Sequence, residues 1–156
     1  MPWTAGEQER RDWATPDWLF QELDEEFAFT LDPCASADNH KCARYFTEAD
    51  DGLAQDWGNE TVFMNPPYGR EISAWMRKAR QAADAGATVV CLVPARLDSI
   101  WWNETTHRSE LRFRFGRVNF VGGHAAFPGA IAVVVMRPDD PRRRPPARGD
   151  WRRVKR

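Results

Sequence analysis

Apolar side chains occur along the chain at two different spacings, which predict where helices and strands lie. Between Leu19 and Phe27 they recur every three or four residues, which is typical of one face of a helix. Thr15 and Pro16 precede this stretch. We expect Thr15 to be the N-cap of the helix and Pro16 to be its first residue.

A second predicted helix lies between two short apolar runs. Its apolar positions extend from Ile72 to Ala85, and the next residue is Gly86, a residue type that commonly ends helices. The flanking runs, Thr61–Met64 and Thr88–Val93, have the length and composition of buried strands. Because strand, helix and strand follow one another, we predict a βαβ unit with parallel strands.

Shorter elements are predicted on both sides of this unit. They are a first strand over about Phe27 to Asp32, a helical turn at Asn39–Arg44, a brief strand at Tyr45–Phe46, a hairpin in which Leu111, Phe113 and Phe115 turn at Gly116–Arg117 into Val118 and Phe120, and a last buried strand at Ala130–Met136. The pattern predicts an α/β fold in which one sheet has helices on both faces and a C-terminal antiparallel hairpin.

The size of the chain limits its domain organisation. Its 156 residues, 42% of them hydrophobic, suit one compact domain, and no separate recognition domain is evident. We expect a mobile N-terminus at residues 1–12, a folded domain at 13–137, and a disordered basic tail rich in proline and arginine at 138–156.

Cysteine content and hydropathy narrow the class of protein. Cys34, Cys42 and Cys91 form no C-x-x-C pair, which argues against a disulfide framework and a zinc site. No apolar run approaches the ~18 residues of a membrane span, and no signal peptide is evident. We therefore expect a cytoplasmic protein that binds no metal and no membrane.

Charge is unevenly distributed along the chain, although the formal net charge is only −1. The first 60 residues hold 15 acids and 4 bases, residues 61–136 hold 5 acids and 9 bases, and residues 137–156 hold 3 acids and 9 bases. This asymmetry indicates that a polyanion meets the later part of the chain. For the tail alone, solvated surface charge explains the excess equally well.

The motif N-P-P-Y, Asn65 to Tyr68, directly follows the strand predicted at Thr61–Met64. Ligands of α/β proteins bind at such strand ends. Proline restricts both its own backbone and its predecessor, so the Asn65 side-chain oxygen and the Pro66 carbonyl are two fixed hydrogen-bond acceptors. Two such acceptors suit one planar NH2 group, and Tyr68 could lie against the ring that carries it. The motif predicts a pocket for an amino-substituted heteroaromatic base or an amide.

This motif resembles the catalytic motif of S-adenosylmethionine-dependent amino methyltransferases. Other segments resemble, in order, the small phage-type DNA N-6-adenine methyltransferases: Trp13-Ala14-Thr15-Pro16, Leu31-Asp32-Pro33-Cys34-Ala35-Ser36, Tyr45-Phe46-Thr47, Asp50-Asp51-Gly52-Leu53, Trp57 and Gly116-Arg117. The resemblance spans residues 11 to 136 and implies the Rossmann-like sheet of S-adenosylmethionine-dependent methyltransferases. It also implies that the protein works in a bacterial or phage-infected host cell. It implies methyl transfer from S-adenosylmethionine to the N6 amino group of an adenine flipped out of DNA.

The resemblance also assigns site residues. The catalytic ones are Asn65, Pro66, Pro67 and Tyr68. If Asn65 and Pro66 accept the two amine hydrogens, the nitrogen becomes pyramidal and its lone pair can face the methyl group, so catalysis depends on positioning and fixed dipoles.

Cofactor contacts are expected where three parallel strands end on one edge of the sheet, at Asp32-Pro33, Asn65-Pro66 and Pro94. The start of the first helix favours the cofactor's carboxylate, and Asp50 or Asp51 could accept hydrogen bonds from its ribose or adenine. Many relatives have Gly-x-Gly where this chain has Cys34-Ala35-Ser36, so that part of the match is weaker. The residues assigned to the cofactor are Thr15, Pro16, Asp32, Pro33, Cys34, Ala35, Ser36, Asp50 and Asn65.

Nucleic-acid contacts are expected on the same side. Tyr68 would stack on the flipped base, Phe127 could cover its second face, and Arg70 and Arg117 could meet phosphates. Without a recognition domain, we expect the protein to recognise a very short DNA sequence or to have relaxed specificity. A homodimer is a possible assembly that would help such recognition.

Other functions remain open from the sequence alone. RNA or a protein glutamine could be the acceptor, because an amide NH2 meets the same two acceptors. A nucleic-acid-binding relative without catalysis is also compatible with the missing glycine loop and the short interval between Asp32 and Asn65.

Overall fold

The structure is a computed structural model that describes residues 14–121 and 127–138. The mobile N-terminus and the disordered tail predicted at the two ends lie outside these residues, apart from Pro138. The elements, numbered along the chain, are α1 Asp17–Phe27, β1 Leu31–Asp32, β2 Arg44–Tyr45, a short 3-10 helix Glu48–Asp50, β3 Thr61–Met64, α2 Ile72–Asp84, β4 Thr88–Pro94, α3 Ile100–Thr105, β5 Glu110–Phe113 and β6 Ile131–Met136.

The described strands form one mixed sheet in the order β2-β1-β3-β4-β6-β5. The first four are mutually parallel, with Leu31 opposite Val62 and Met64 opposite Cys91. The predicted βαβ unit is therefore confirmed, and the carboxyl ends of β1, β3 and β4 lie on the same edge of the sheet. We call this the carboxyl edge.

Both faces of the sheet are covered by helices, which confirms the predicted α/β architecture. Successive side chains of a strand point to opposite faces. Val62 and Met64 of β3 accordingly pack with Trp75 and Met76 of α2. Phe63, between them in the sequence, packs on the other face with Leu19 of α1. Burying both faces explains why β3 and β4 are continuously apolar.

The C-terminal antiparallel pair exists, but its strands differ from the prediction. β5 pairs with β6, and β6 pairs antiparallel with β4. Val118 and Phe120 form no strand; both are buried in the α1-side core. The turn at Gly116, with φ +86°, therefore leads into a core-packing segment. The physical reason is β6, an interior strand that needs a neighbour on each side, and β5 supplies the second.

Shorter elements also differ from their predicted bounds. β1 begins only at Leu31, because α1 continues to Phe27 and ends at Ala28 in the left-handed region, with φ 52°. The helical turn expected at Asn39–Arg44 is absent from the described structure, and β2 occupies Arg44–Tyr45. The helix α3 was not predicted.

Candidate active site

The turn after β3 places the side chain of Asn65 against the start of α1. Asn65 Nδ2 donates a hydrogen bond to Thr15 Oγ1 at 3.0 Å. Thr15 is only 3% exposed, and Pro66 is buried. Two predicted site residues that are 50 positions apart in the sequence are therefore in direct contact.

Thr15 is not the N-cap of α1, contrary to the sequence prediction. The cap is Pro16, whose backbone is extended at φ −62° and ψ 142°. Its carbonyl accepts from the N–H groups of Leu19 and Phe20 at 3.1 and 3.2 Å. Because Thr15 lies one residue before the cap, its hydroxyl is available to Asn65.

Tyr68 is anchored into the sheet from the same turn. Its hydroxyl donates to the carbonyl of Leu92 in β4 at 3.1 Å, and burial raises the pKa of this phenol above its ordinary value. Its ring meets the ring of Phe127 edge to face, with centroids 5.5 Å apart and planes at 77°. The two rings assigned to the flipped base are thus in direct contact, with no room for a base between them in this conformation.

The turn after β1 is organised by the carboxylate of Asp32. Oδ1 accepts from the backbone N–H of Cys34 at 3.2 Å, and Oδ2 accepts from that of Lys41 at 2.9 Å. Burial raises the pKa of Asp32, while these two N–H groups act against the rise. Burial also raises the pKa of the Cys34 thiol, with the charge of Asp32 as a second cause, so Cys34 is a neutral wall residue.

The rest of this turn bonds to Phe46, the residue directly after β2, and to Asn39. Ala35 N–H donates to the Phe46 carbonyl at 3.0 Å, and Phe46 N–H donates to the Asp32 carbonyl at 2.9 Å. Ser36 is exposed and forms an isolated bridge with Asn39. The segment Asp32–Ser36 is therefore a backbone-bonded extension of β1.

Gly52 is a residue whose importance the sequence analysis missed. A Cβ atom there would lie 2.3 Å from the carbonyl oxygen of Pro33, too close for any side chain, and 3.0 Å from the Trp75 ring, a tight contact. Trp57 Nε1 donates to the Gly52 carbonyl at 2.9 Å, which holds the glycine in place. Gly52 thus allows a second loop to approach the Asp32 turn closely.

Asp50 has a local structural contact. It closes a capping box with Thr47, and its Oδ2 accepts from both the backbone N–H and the hydroxyl of Thr47 at 2.8 Å. The N–H group of Thr47 is the main cause of its lowered pKa. Asp50 and Asp51 are both exposed, and Asp51 has a left-handed backbone with φ 53°.

The predicted nucleic-acid residues differ in exposure. Arg70 and Arg117 are exposed and form no ion pair with any other described residue, whereas Phe127 is 9% exposed. Phe127 also lines a cleft at the end of β4 together with Pro94, Ala95, Arg96, Asp98, Pro128, Gly129 and Ala130. This cleft thus borders the Phe127 ring.

Residues 14–121 and 127–138 contain neither a cluster of metal-ligating side chains nor a helix suited to crossing a membrane. No group of three or more His, Cys, Asp or Glu side chains is arranged to hold a metal ion. Within the same ranges, no helix has the length and apolar character needed to cross a membrane.

Comparison with known proteins gives one matching family. The model of the family described as "DNA N-6-adenine-methyltransferase (Dam)" matches residues 4–138. The DNA N-6-adenine-methyltransferase of Haemophilus phage HP1 (strain HP1c1) is 32% identical over 93 residues, which are 58% of this chain and 54% of the phage protein.

Two other relatives are similar over shorter shares of one chain or the other. The DNA N-6-adenine-methyltransferase of Escherichia phage T1 is 29% identical over 94 residues, 59% of this chain and 39% of that protein. The putative methyltransferase YfdM of Escherichia coli (strain K12) is 41% identical over 63 residues, 36% of this chain and 69% of that protein. The chain therefore spans about half the length, or less, of the two phage proteins it matches.

Proposed function

We propose an activity for this chain from the premise that it belongs to the DNA N-6-adenine-methyltransferase (Dam) family. The chain transfers a methyl group from S-adenosylmethionine to the N6 amino group of adenine in DNA. The observation that carries this proposal is the hydrogen bond between Asn65 and Thr15. It joins the motif for the acceptor amine to the helix start that suits the methyl donor.

The residues around the ends of β1 and β3 fit S-adenosylmethionine by their chemistry. The methionine part of this molecule has a cationic ammonium and an anionic carboxylate. Asp32 contributes a negative charge at the end of β1, and the backbone N–H groups at the start of α1, beside Thr15 and Pro16, favour an anion. The residues that follow Asp32 are small, and Gly52 packs closely on Pro33. No bulky side chain of this turn therefore keeps the methionine part of the cofactor away from the backbone.

The remaining cofactor contacts follow from position. When bound, S-adenosylmethionine supplies a methyl group on a positively charged sulfur. The turn Asp32–Ser36 holds the methionine part, and Asp50, at the surface of the neighbouring loop, accepts hydrogen bonds from the ribose or adenine. Asn65 lies between these groups and the acceptor base.

Asn65 and Pro66 prepare the amine for transfer. The lone pair of the adenine amino nitrogen is delocalised into the ring, which makes this nitrogen a poor nucleophile. Asn65 Oδ1 and the Pro66 carbonyl accept its two hydrogens and turn the lone pair out of the ring plane, toward the methyl group. The acceptors are held by Pro66, Pro67 and the contact to Thr15, so they need no reorganisation during the reaction.

Tyr68 and Phe127 form the walls for the base. A base that leaves the duplex stacks on the Tyr68 ring, and Phe127 covers its other side. The two rings are in edge-to-face contact, with their centroids 5.5 Å apart. One of them therefore moves aside when the base enters. The hydroxyl of Tyr68 is bonded to Leu92, so the moving ring is Phe127, which belongs to the loop before β6.

Two exposed arginines, Arg70 and Arg117, bind phosphates of the DNA. Arg70 follows the motif after one glycine, and Arg117 is exposed in the turn after β5. An Arg70→Ala variant therefore weakens DNA binding and lowers its salt dependence by about one released ion. Arg44, bonded to Glu60 at 2.6 Å just before β3, is a matched exposed arginine away from the carboxyl edge for comparison.

The decisive experiment is methyl transfer with labelled S-adenosylmethionine. The protein is incubated separately with unmethylated DNA, RNA and a glutamine-containing protein mixture, and the product is digested to locate the label. We expect label only in DNA, as N6-methyladenine. Label in RNA or glutamine would replace the DNA assignment, and no label in any acceptor, with no S-adenosylmethionine binding by calorimetry, would overturn the proposal.

A further inference from the structure

The hydroxyl of Thr15 is placed to act on the amide of Asn65. Thr15 is 3% exposed and accepts from Asn65 Nδ2 at 3.0 Å. The cap of the helix is Pro16, with no side-chain cap hydrogen bond, and its carbonyl receives the N–H groups of Leu19 and Phe20, so the helix start does not use this hydroxyl. Among the described residues, this buried hydroxyl bonds the Asn65 amide and no backbone group, so it has a specific geometric effect on the first residue of the motif.

That effect concerns the two ends of the amide. The oxygen and nitrogen of an asparagine side chain are nearly equal in size, and a half-turn of the terminal torsion exchanges them. Only the oxygen end can accept a hydrogen from an amine. If Nδ2 faces the amine instead, two donors oppose each other and transfer stops.

A hydroxyl can either donate or accept, so its effect depends on where its own hydrogen goes. When that hydrogen is given to an anion, only the lone pairs of the oxygen remain for Asn65. Nδ2 then binds Thr15, and Oδ1 faces the amine. The start of α1 is a position where an anionic group is favoured, and the proposed methyl donor has a carboxylate.

We propose that Thr15 is a positioning residue that couples occupancy of the methyl-donor site to the orientation of the Asn65 amide. The hydroxyl donates to the donor's carboxylate and accepts from Asn65 Nδ2. Bound donor therefore selects the amide orientation that accepts the amine. This inference rests on the proposed function and adds to it an order: the methyl donor prepares the site for the base.

The test uses three single variants under saturating methyl donor and DNA. Thr15→Val keeps the shape and removes the hydroxyl, and we expect kcat to fall roughly tenfold, the typical worth of one such hydrogen bond, with KM for DNA changing less than kcat. Thr15→Ser restores the hydroxyl and should recover turnover to within about threefold. Thr105→Val makes the same change at a buried threonine in α3, whose hydroxyl donates to the Trp101 carbonyl at 2.7 Å, and should leave kcat unchanged.

A binding measurement separates coupling from a simple loss of donor affinity. DNA affinity is measured with and without saturating S-adenosylhomocysteine, which retains the carboxylate. Wild type should bind DNA several-fold more tightly with this ligand, and Thr15→Val should lose the difference. If Thr15→Val does not fold, as judged by circular dichroism, Thr15→Ala gives the same two readouts.

The outcomes are distinguishable from failure of the proposed function. A wild type that transfers no methyl group contradicts the proposed function itself. A wild type that is active, with a Thr15→Val variant whose kcat is normal at saturation and whose only defect is weaker donor binding, overturns the coupling while the proposed function stands.

Discussion

The turns that follow β1 and β3 lie side by side on the carboxyl edge, yet they are held by different kinds of contact. The Asn65 turn depends on groups far away in the sequence, Thr15 and the carbonyl of Leu92. The Asp32 turn closes largely on itself, since the Asp32 carboxylate binds the N–H groups of Cys34 and Lys41. In the Asn65 turn, long-range contacts fix the positions of individual polar atoms. In the Asp32 turn, local contacts fix the shape of the backbone.

This difference matches the tasks proposed for the two turns. Orienting an amine requires an acceptor at a fixed position and angle, which contacts from other elements provide. Receiving the end of a cofactor requires a thin surface, which a tight turn without bulky side chains provides. The comparison predicts that changes to the Asn65 acceptor in the first turn affect the rate of transfer. Changes in the second turn should affect stability and cofactor binding.

The largest effect is expected for Asn65→Ala. Removing the acceptor leaves the amine hydrogens without their fixed partner, and methyl transfer should fall by roughly 100-fold to 1000-fold, as for other preorganised hydrogen-bonding groups. Cofactor affinity, measured by calorimetry, should stay nearly unchanged. Asn103→Ala is a matched control, because that amide bonds two carbonyls of its own segment, those of Leu97 and Ser99. Equal losses of rate and of cofactor affinity in Asn65→Ala would mean that the two turns do not divide the work as described.

A smaller effect, on the other turn, is expected for Gly52→Ala. The new methyl group would meet the Pro33 carbonyl, so the Asp32 turn must shift, and such overpacking typically costs about 1–3 kcal/mol of unfolding free energy. Chemical denaturation should detect this loss, together with weaker cofactor binding and a near-normal kcat at saturation. Gly58→Asn is the control, because Gly58 has open space around it and a φ of 53°, which asparagine adopts readily. Normal cofactor affinity in Gly52→Ala would separate the Asp32 turn from cofactor binding.

The difference between the turns also explains what the sequence could predict. The central unit was predicted within one residue, because β3, α2 and β4 are long enough for hydrophobic spacing to be clear and both faces are buried. The shared edge of Asp32, Asn65 and Pro94 followed from the parallel order. All of these depend on local patterns.

Features that depend on long-range contacts were not predictable in this way. The Thr15–Asn65 bond joins segments 50 residues apart, and Thr15 next to proline has the typical sequence of a helix cap. Gly52 is not among the described glycines with a left-handed backbone, so its importance is revealed by its distance to Pro33. The six-residue helix α3 is too short for a clear period, although Ser99, whose hydroxyl accepts from the Trp102 N–H at 3.3 Å, was an available signal.

An intermediate effect is expected for Tyr68→Phe, which tests the long-range anchoring of the first turn. The variant loses the hydrogen bond to Leu92 and should be less stable by about 1 kcal/mol, while its ring can still stack on the base. Denaturation midpoints should fall, and kcat should change little, because the hydroxyl points into the sheet. A large loss of kcat with unchanged stability would mean that the hydroxyl takes part in the reaction. It would contradict the proposal that Tyr68 contributes only its ring, as a stacking surface for the base.

The smallest effect is a difference in titration between Asp32 and Asp50. Burial raises the pKa of Asp32 above the ordinary 3.8, whereas the Thr47 N–H lowers that of Asp50 below it. Folding therefore favours protonated Asp32, and the contribution of Asp32 to stability is largest below pH 3.8 and declines as pH rises through its folded pKa. The contribution of Asp50 is present above pH 3.8 and is lost as pH falls through its lowered folded pKa. Carbon NMR of the carboxyl groups should find Asp32 half-protonated at the higher pH, and the stability difference between wild type and Asp32→Asn should shrink as pH rises through that window. If Asp32 and Asp50 titrate at the same pH, the Asp32 carboxylate is hydrated. The Asp32 turn is then more open to solvent than its backbone contacts indicate.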